Sequence, residues 1–536
     1  MHARPAALAF AVPLLLATVL TAAGAADPAA ADAAFPAKDS RYHDYAEMVA
    51  TIQAAQTAHP DIVKVQTIGK SYQGRNIWAV KVSDNVAVDE PEPEVLFDGL
   101  HHAREHLSVE QSLAILSWLT TGYGTDAAIT RLVDQRETWI VPMVNPDGGE
   151  YDIAGTTYRA WRKNRQPNSG TSAVGTDINR NYGYRWACCH GSSGTKSADT
   201  YRGSAAFSTP EARVLRDFMT SRRVDGIQQI KAAITFHTAG EQVLWPYGYT
   251  RTDVPADMTA ADHAALVALG KHMATSNGYT AMQSSSLYVT DGDEIDWAYG
   301  TQRIWMYTFE LYPSHSKVSG NARFYPADEL IARETTRNKA AILYFIDHAG
   351  CLYSVIGMTQ ANCGPFFDDF EVAKGWVADP LGTDTATTGM WQRGTPQATA
   401  RQSGSAISGA RVIATGLSAG TSVNANDIDG ITSIRSAPIQ LPSAVGKLTF
   451  RYYLAHSPNS SSQDYFRAWV ERQDGSRTLV RQEVGAANLD NPHWTAISVP
   501  LTAWAGEKVR IVFEAADVGA SSTVEAAVDD VRVTRP

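Results

Sequence analysis

The 536-residue sequence predicts an α/β layered domain followed by an all-β module. Three observations carry that reading. From residue 40 to about 349, helix-period and strand-like stretches alternate, the signature of helices laid on a sheet. Beyond Cys363, helix formers give way to Gly, Ser, Thr and short alternating runs. The length requires more than one domain at roughly 100–200 residues each. Hydrophobic residues at 44% and charged residues at 19% suit globular domains. The balance of 46 Lys and Arg against 56 Asp and Glu gives a net charge of −10. That is the wrong sign for a phosphate-binding surface, so nucleic acid is not expected as a partner.

The chain opens on an uncharged, Ala-rich run at residues 6–26, preceded by Arg4 and interrupted by Pro13, with small residues at Ala23-Gly24-Ala25. This reads as a signal peptide over residues 1–25 and a short linker over 26–38. Export to an extracellular or periplasmic space is expected, with no membrane segment after cleavage. A catalytic domain is assigned to residues 39–350. Its first helix carries Tyr45, Met48, Val49, Ile52 and Ala55 on one face. Extended runs follow at 63–68 and 77–82, joined through Gln73-Gly74-Arg75, and again at 95–97. Ser108-Val109-Glu110-Gln111 has capping-box spacing ahead of Leu113, Ile115 and Leu116, which puts a helix start just after a His-rich loop.

In an oxidising compartment the four cysteines can pair. Cys351 with Cys363 closes a short loop in a 351–364 linker, whereas the neighbours Cys188 and Cys189 read equally as a vicinal bridge or two thiols. A β-sandwich is assigned to residues 365–536. Leu448, Phe450, Tyr452 and Leu454 share one strand face, Asp474-Gly475 marks a hairpin, and closing strands carry Val509, Ile511, Phe513, Val528, Val531 and Val533. Asp368, Asp369 and Glu371 at its start and Asp529-Asp530 near its end motivate an expectation of Ca2+ there.

The densest chemistry is Gly99-Leu100-His101-His102-Ala103-Arg104-Glu105-His106. The spacing of His102 and Glu105, three apart, allows both to project from one turn onto a single ion, and zinc favours such donors, although so short a pattern also recurs among solvated surface residues. His102 to His106 also fits H-x-x-E-H, the inverzincin endopeptidase pattern. That pattern needs to sit inside a helix with a second glutamate downstream, and residues 151–210 contain none. Glu310 is a charge inside the apolar run 304–311, costly to bury without a role.

Five separated motifs then occur in order: the His-rich loop, residues 158–163, residues 176–182, Thr235-Phe236-His237-Thr238, and residues 288–297 leading to Thr308-Phe309-Glu310-Leu311. Across residues 40–349 this sequence resembles the zinc metallocarboxypeptidases, with the pattern of the carboxypeptidase T type. The resemblance implies an α/β/α sandwich with a central mixed sheet and one Zn2+ held by His102, Glu105 and His237. It implies that Asp177 accepts a hydrogen bond from a metal-bound histidine, and that Asn179 and Arg180 hold the substrate's terminal carboxylate. Tyr288 would cover the bound residue, Arg162 would stabilise the oxyanion, Glu310 would be the general base, and Arg104 would read substrate backbone further out. Ile295 matches an apolar pocket floor, while Asp293 is placed to accept a Lys or Arg head group, so mixed preference is expected. Glu294 either strengthens the basic preference or faces solvent.

Peptides and proteins with free C-termini are the expected partners of a monomeric enzyme. Relatives usually carry a large inhibitory propeptide, and none is visible between signal and catalytic domain. A zinc amidohydrolase, an inverzincin endopeptidase and a catalytically dead binding protein are the competing readings.

Overall fold

The computed structural model describes residues 34–534 apart from 91, 225–226, 360–362, 419–421, 423–424 and 520–521. The expected signal peptide lies outside the described residues. Among the described residues no helix is long and apolar enough to cross a membrane.

The first helix, α1 (Tyr45–Ala58), starts at Asp44, which accepts the Glu47 N–H while the Glu47 carboxylate accepts the Asp44 N–H. This reciprocal cap satisfies donors that a bare helix end leaves open. Met48 and Ile52 are buried against the sheet. Eight strands follow: β1 (Val63–Lys70), β2 (Asn76–Val82), β3 (Glu94–Gly99), β4 (Glu137–Val141), β5 (Ile230–Thr238), β6 (Gln242–Trp245), β7 (Thr280–Gln283) and β8 (Trp305–Leu311). They form one sheet in the order β1-β2-β4-β3-β5-β8-β6-β7. Its centre, β4, β3, β5 and β8, is parallel, and β1, β2 and β6 join antiparallel.

Successive strand side chains point to opposite faces, so each strand feeds two cores. Phe97, Ile140 and Phe236 pack with α1, α2 (Leu107–Gly122) and a later helix carrying Leu266 and Leu269. Leu96, Trp139 and Ala233 face Leu215 and Phe218 of α3 (Pro210–Ser221). The later helix is α4 (Ala260–Asn277), and α5 (Glu294–Gln302) adds Ile295 and Ala298 to the second core. The sheet is thus sandwiched between helical layers, as expected.

The structure corrects the start of α2. Ser108 is not its cap: the helix begins at Leu107, and the Ser108 hydroxyl donates to the Glu105 carbonyl and accepts the Leu100 N–H at 2.9 Å. The hydroxyl closes the His-rich loop on itself instead of ending the helix. The His-rich loop still precedes the helix.

Cys351 and Cys363 are bridged with Cα atoms 5.4 Å apart, and Cys188 and Cys189 form a vicinal disulfide. The C-terminal region holds two six-stranded antiparallel sheets. Phe450 and Tyr452 of one meet Phe466 and Phe513 of the other, with Tyr452 and Phe466 stacked at 4.4 Å. Asp474-Gly475 lies between paired strands, as the hairpin signal predicts.

The calcium expectation gains no support. Asp368 accepts from Phe370 N–H and the Trp376 indole, Glu371 from the N–H groups of Ala410 and Arg411, and Asp529 from those of Ile407 and Ser408. These acids brace loops, and among the described residues none belongs to a donor cluster suited to an ion.

Candidate active site

Open α/β sheets place ligands at the carboxyl ends of their parallel strands. Here β3 ends at Gly99, one residue before the His-rich loop, and on β5 and β8 His237 and Glu310 lie directly opposite each other. A cavity of about 400 Å³, including its open mouth, lies against these ends and is lined in part by His102, His237, Asn179, Arg180 and Glu310.

His102, Glu105 and His237 are buried and converge. Both Nδ1 atoms lie 2.9 Å from Glu105 oxygens and 3.0 Å from each other. Two imidazole nitrogens and a carboxylate facing one point form a cradle for a cation. The outer nitrogen of His102 sets its tautomer, since Nε2–H donates to Asp177 Oδ1 at 3.2 Å, while His237 Nε2 lies 3.3 Å from Asn179 Nδ2. Burial and the nearby Arg162 charge lower the His102 pKa, favouring the neutral imidazole that metals bind. Donor type, number and convergence fit zinc. His106 does not join them, because its Nε2 bonds Asp152 at 3.0 Å.

Asp177 is completely buried, yet Arg162 and His102 outweigh that burial and hold it well below the usual carboxylate range. Arg162 contacts its Oδ2 through Nε and Nη2, both at 2.9 Å. Burial lifts the half-buried Glu310 to about 8, and the Glu105 charge adds to it. A cation in the cradle would offset Glu105 and bring Glu310 back down.

Across the cavity, Arg180 is 2% exposed and donates from Nη1 to the Asn179 carbonyl at 2.5 Å. Tyr288 is 48% exposed at the mouth, its ring 5.9 Å from the Arg180 guanidinium. Asp293 and Ile295 line the same space. Asp293 also caps α5, accepting the Asp296 N–H at 3.0 Å and the Thr290 hydroxyl. Arg104 stands outside this lining, stacked 4.2 Å from Phe324 and donating to the Ala160 carbonyl.

Glu294 is a correction. It neither faces solvent nor reaches the cavity: it is completely buried with Asp98 and His101, where burial and the Asp98 charge push its carboxyl pKa upward. Its N–H donates to Asn179 Oδ1 at 2.9 Å, so this end of α5 orients that amide. Sequence reasoning missed the wall residues Leu244, Ser284, Leu287 and Thr308. Thr308 was within reach, since it lies two residues before Glu310 and strand alternation puts both on one face.

A buried cation cradle beside a carboxyl, at the strand ends of a mixed sheet, is the apparatus of a metal-dependent hydrolase. Comparison with known proteins narrows the class. A family model described as zinc carboxypeptidase matches residues 48–341, and the chain belongs to that family. It is 48% identical over 333 residues to a zinc carboxypeptidase of Saccharothrix mutabilis subsp. capreolus, covering 62% of this chain and 75% of that protein. It is 33% identical over 309 residues to a zinc carboxypeptidase of Simulium vittatum, covering 56% and 96%. Among solved structures it is similar to thrombin activatable fibrinolysis inhibitor, at TM-score 0.51 and 28% identity over 57% of this chain and 74% of that one.

Proposed function

We propose that this metallocarboxypeptidase is exported and removes single C-terminal residues, hydrophobic and basic, from peptides, using His102, Glu105 and His237 to hold Zn2+. The observation that carries the reading is that the cradle, Glu310 and the Asn179–Arg180 pair open onto one cavity. Metal ligands and a buried guanidinium lining the same cavity suit a substrate that ends there. An amidohydrolase has no need of Asn179, Arg180 and Tyr288 together.

When bound, zinc supplies a Lewis acid and an acidified water. Arg180 and Asn179 bind the terminal carboxylate, and Tyr288 closes over the residue to be released. A Glu310 oxygen accepts a proton and returns it to the leaving amine nitrogen. Arg162, anchored by Asp177, donates to the developing oxyanion; such donors contribute about 3 kcal/mol. The pocket beneath combines Ile295 with Asp293, an apolar wall beside a carboxyl. Export is supported by the two disulfides, which suit an oxidising compartment.

The preference is tested by measuring release of Phe, Leu, Arg and Lys from otherwise identical peptides. Release of both classes is expected. Release of one class only would remove the mixed assignment.

A further inference from the structure

Asp291 has none of the roles above, and it is completely buried. Its Oδ2 accepts the N–H groups of Cys189 at 3.1 Å and Gly191 at 2.9 Å, and its Oδ1 accepts the Ser192 hydroxyl. A buried carboxylate is tolerated only when so satisfied. One side chain therefore ties residues 188–192, which contain the vicinal disulfide, to the 288–293 segment at the cavity. The neighbouring acids are spent differently, Asp293 on the α5 cap and Asp296 on the N–H groups of Gly248 and Tyr249.

The two segments touch closely. A Cβ on Gly191 would fall 2.2 Å from the Thr290 carbonyl carbon, and one on Gly292, at φ +67°, would meet the Arg180 carbonyl at 2.7 Å. The tied segment holds Arg180 in turn, because the Gly191 carbonyl accepts from Arg180 Nε at 3.2 Å. From the other side, the Gly292 carbonyl accepts the Tyr182 N–H at 2.9 Å. Arg180 thus sits between two strips of backbone whose spacing Asp291 sets.

We infer that Asp291 is a positioning residue for recognition of the substrate's terminal carboxylate: it fixes the Gly191 carbonyl that aims the Arg180 guanidinium. The inference rests on the role proposed above for Arg180. Asp291 itself touches no substrate.

The test uses the zinc-loaded full chain, an N-acylated dipeptide with a free C-terminus as substrate, and its C-terminal amide as a competitive inhibitor. Asp291→Ala should raise KM about three- to ten-fold, the range that misaligning the single Arg180–Gly191 hydrogen bond supports, with kcat within about two-fold and the amide's Ki unchanged. Asp291→Asn should recover most of the loss, since its oxygen still accepts both N–H groups and its amide donates to the Ser192 hydroxyl. Ser192→Ala, which removes one donor only, should raise KM about two-fold and stands in if Asp291→Ala does not fold. An unchanged KM, an equal loss for acid and amide, or a fall in kcat or zinc content would overturn the inference. A parent enzyme that binds the amide as tightly as the acid would instead overturn the carboxylate reading, before any variant is made.

Discussion

Replacing Asp177 by Asn keeps the volume and one acceptor but removes the charge between Arg162 and His102. In the structure that charge is buried, receives two Arg162 contacts at 2.9 Å, and accepts from His102 at 3.2 Å and from the Asn179 N–H at 3.1 Å. Removing one partner of a buried ion pair costs about 3–5 kcal/mol. The Arg162 side chain is 11% exposed and recovers some solvation, so the lower end, about 3 kcal/mol, is expected for the metal-free protein. The loosened His102 tautomer should also weaken zinc about 10- to 100-fold. Denaturant unfolding without metal reads the first quantity, and competition with a chelator reads the second. A stability change under about 1 kcal/mol together with unchanged zinc affinity would refute the account of Asp177 as the common anchor.

Three further outcomes follow from named contacts. Glu310→Gln should retain zinc, measured by elemental analysis, while kcat falls about 10²- to 10⁴-fold; near-parent turnover would remove Glu310 as the proton carrier. Asp293→Asn keeps the α5 cap, because Asn caps as well as Asp, and so isolates the charge: release of Lys and Arg should fall with Phe and Leu unaffected, and equal loss across all four would refute the reader role. Burial pushes Glu525 to about 9 despite its hydrogen bond from Thr415, with Asp427 adding to the rise. The folded state therefore keeps a proton that the unfolded chain gives up, and this contribution, full below about pH 4.5, is lost as pH climbs to about 9. Glu525→Gln should gain on the parent by on the order of a few kcal/mol between pH 5 and pH 9 in urea unfolding; a pH-independent difference would contradict the buried neutral carboxyl.

The chemistry-bearing loops were legible because each is spelled locally. His102 and Glu105 share a turn, Glu310 interrupts an apolar run, and His237 ends one. The helix and strand alternation gave the layers for the same reason. What escaped depends on partners distant in sequence. Ser108 has cap spacing, yet its hydroxyl is claimed by Leu100 and Glu105, and only the folded loop shows this. Glu294 looks like a charged loop residue until Asp98 and His101, nearly two hundred positions earlier, close over it. Leu244 and Leu287 enter the cavity through strand order and a short helix, neither of which leaves a periodic mark. The calcium expectation for the acids of the β-module gained no support, and composition does not reveal which backbone N–H groups those acids accept.

The central claim is removal of residues from free C-termini by a zinc site, and mass spectrometry of a peptide mixture incubated with the purified protein tests it most directly. The mixture should include C-terminally amidated copies, with arms containing a chelator and added zinc. Stepwise loss of single residues from free C-termini alone, stopped by the chelator and restored by zinc, is the predicted result. Internal cleavage, or shortening of the amidated peptides at a comparable rate, would contradict it.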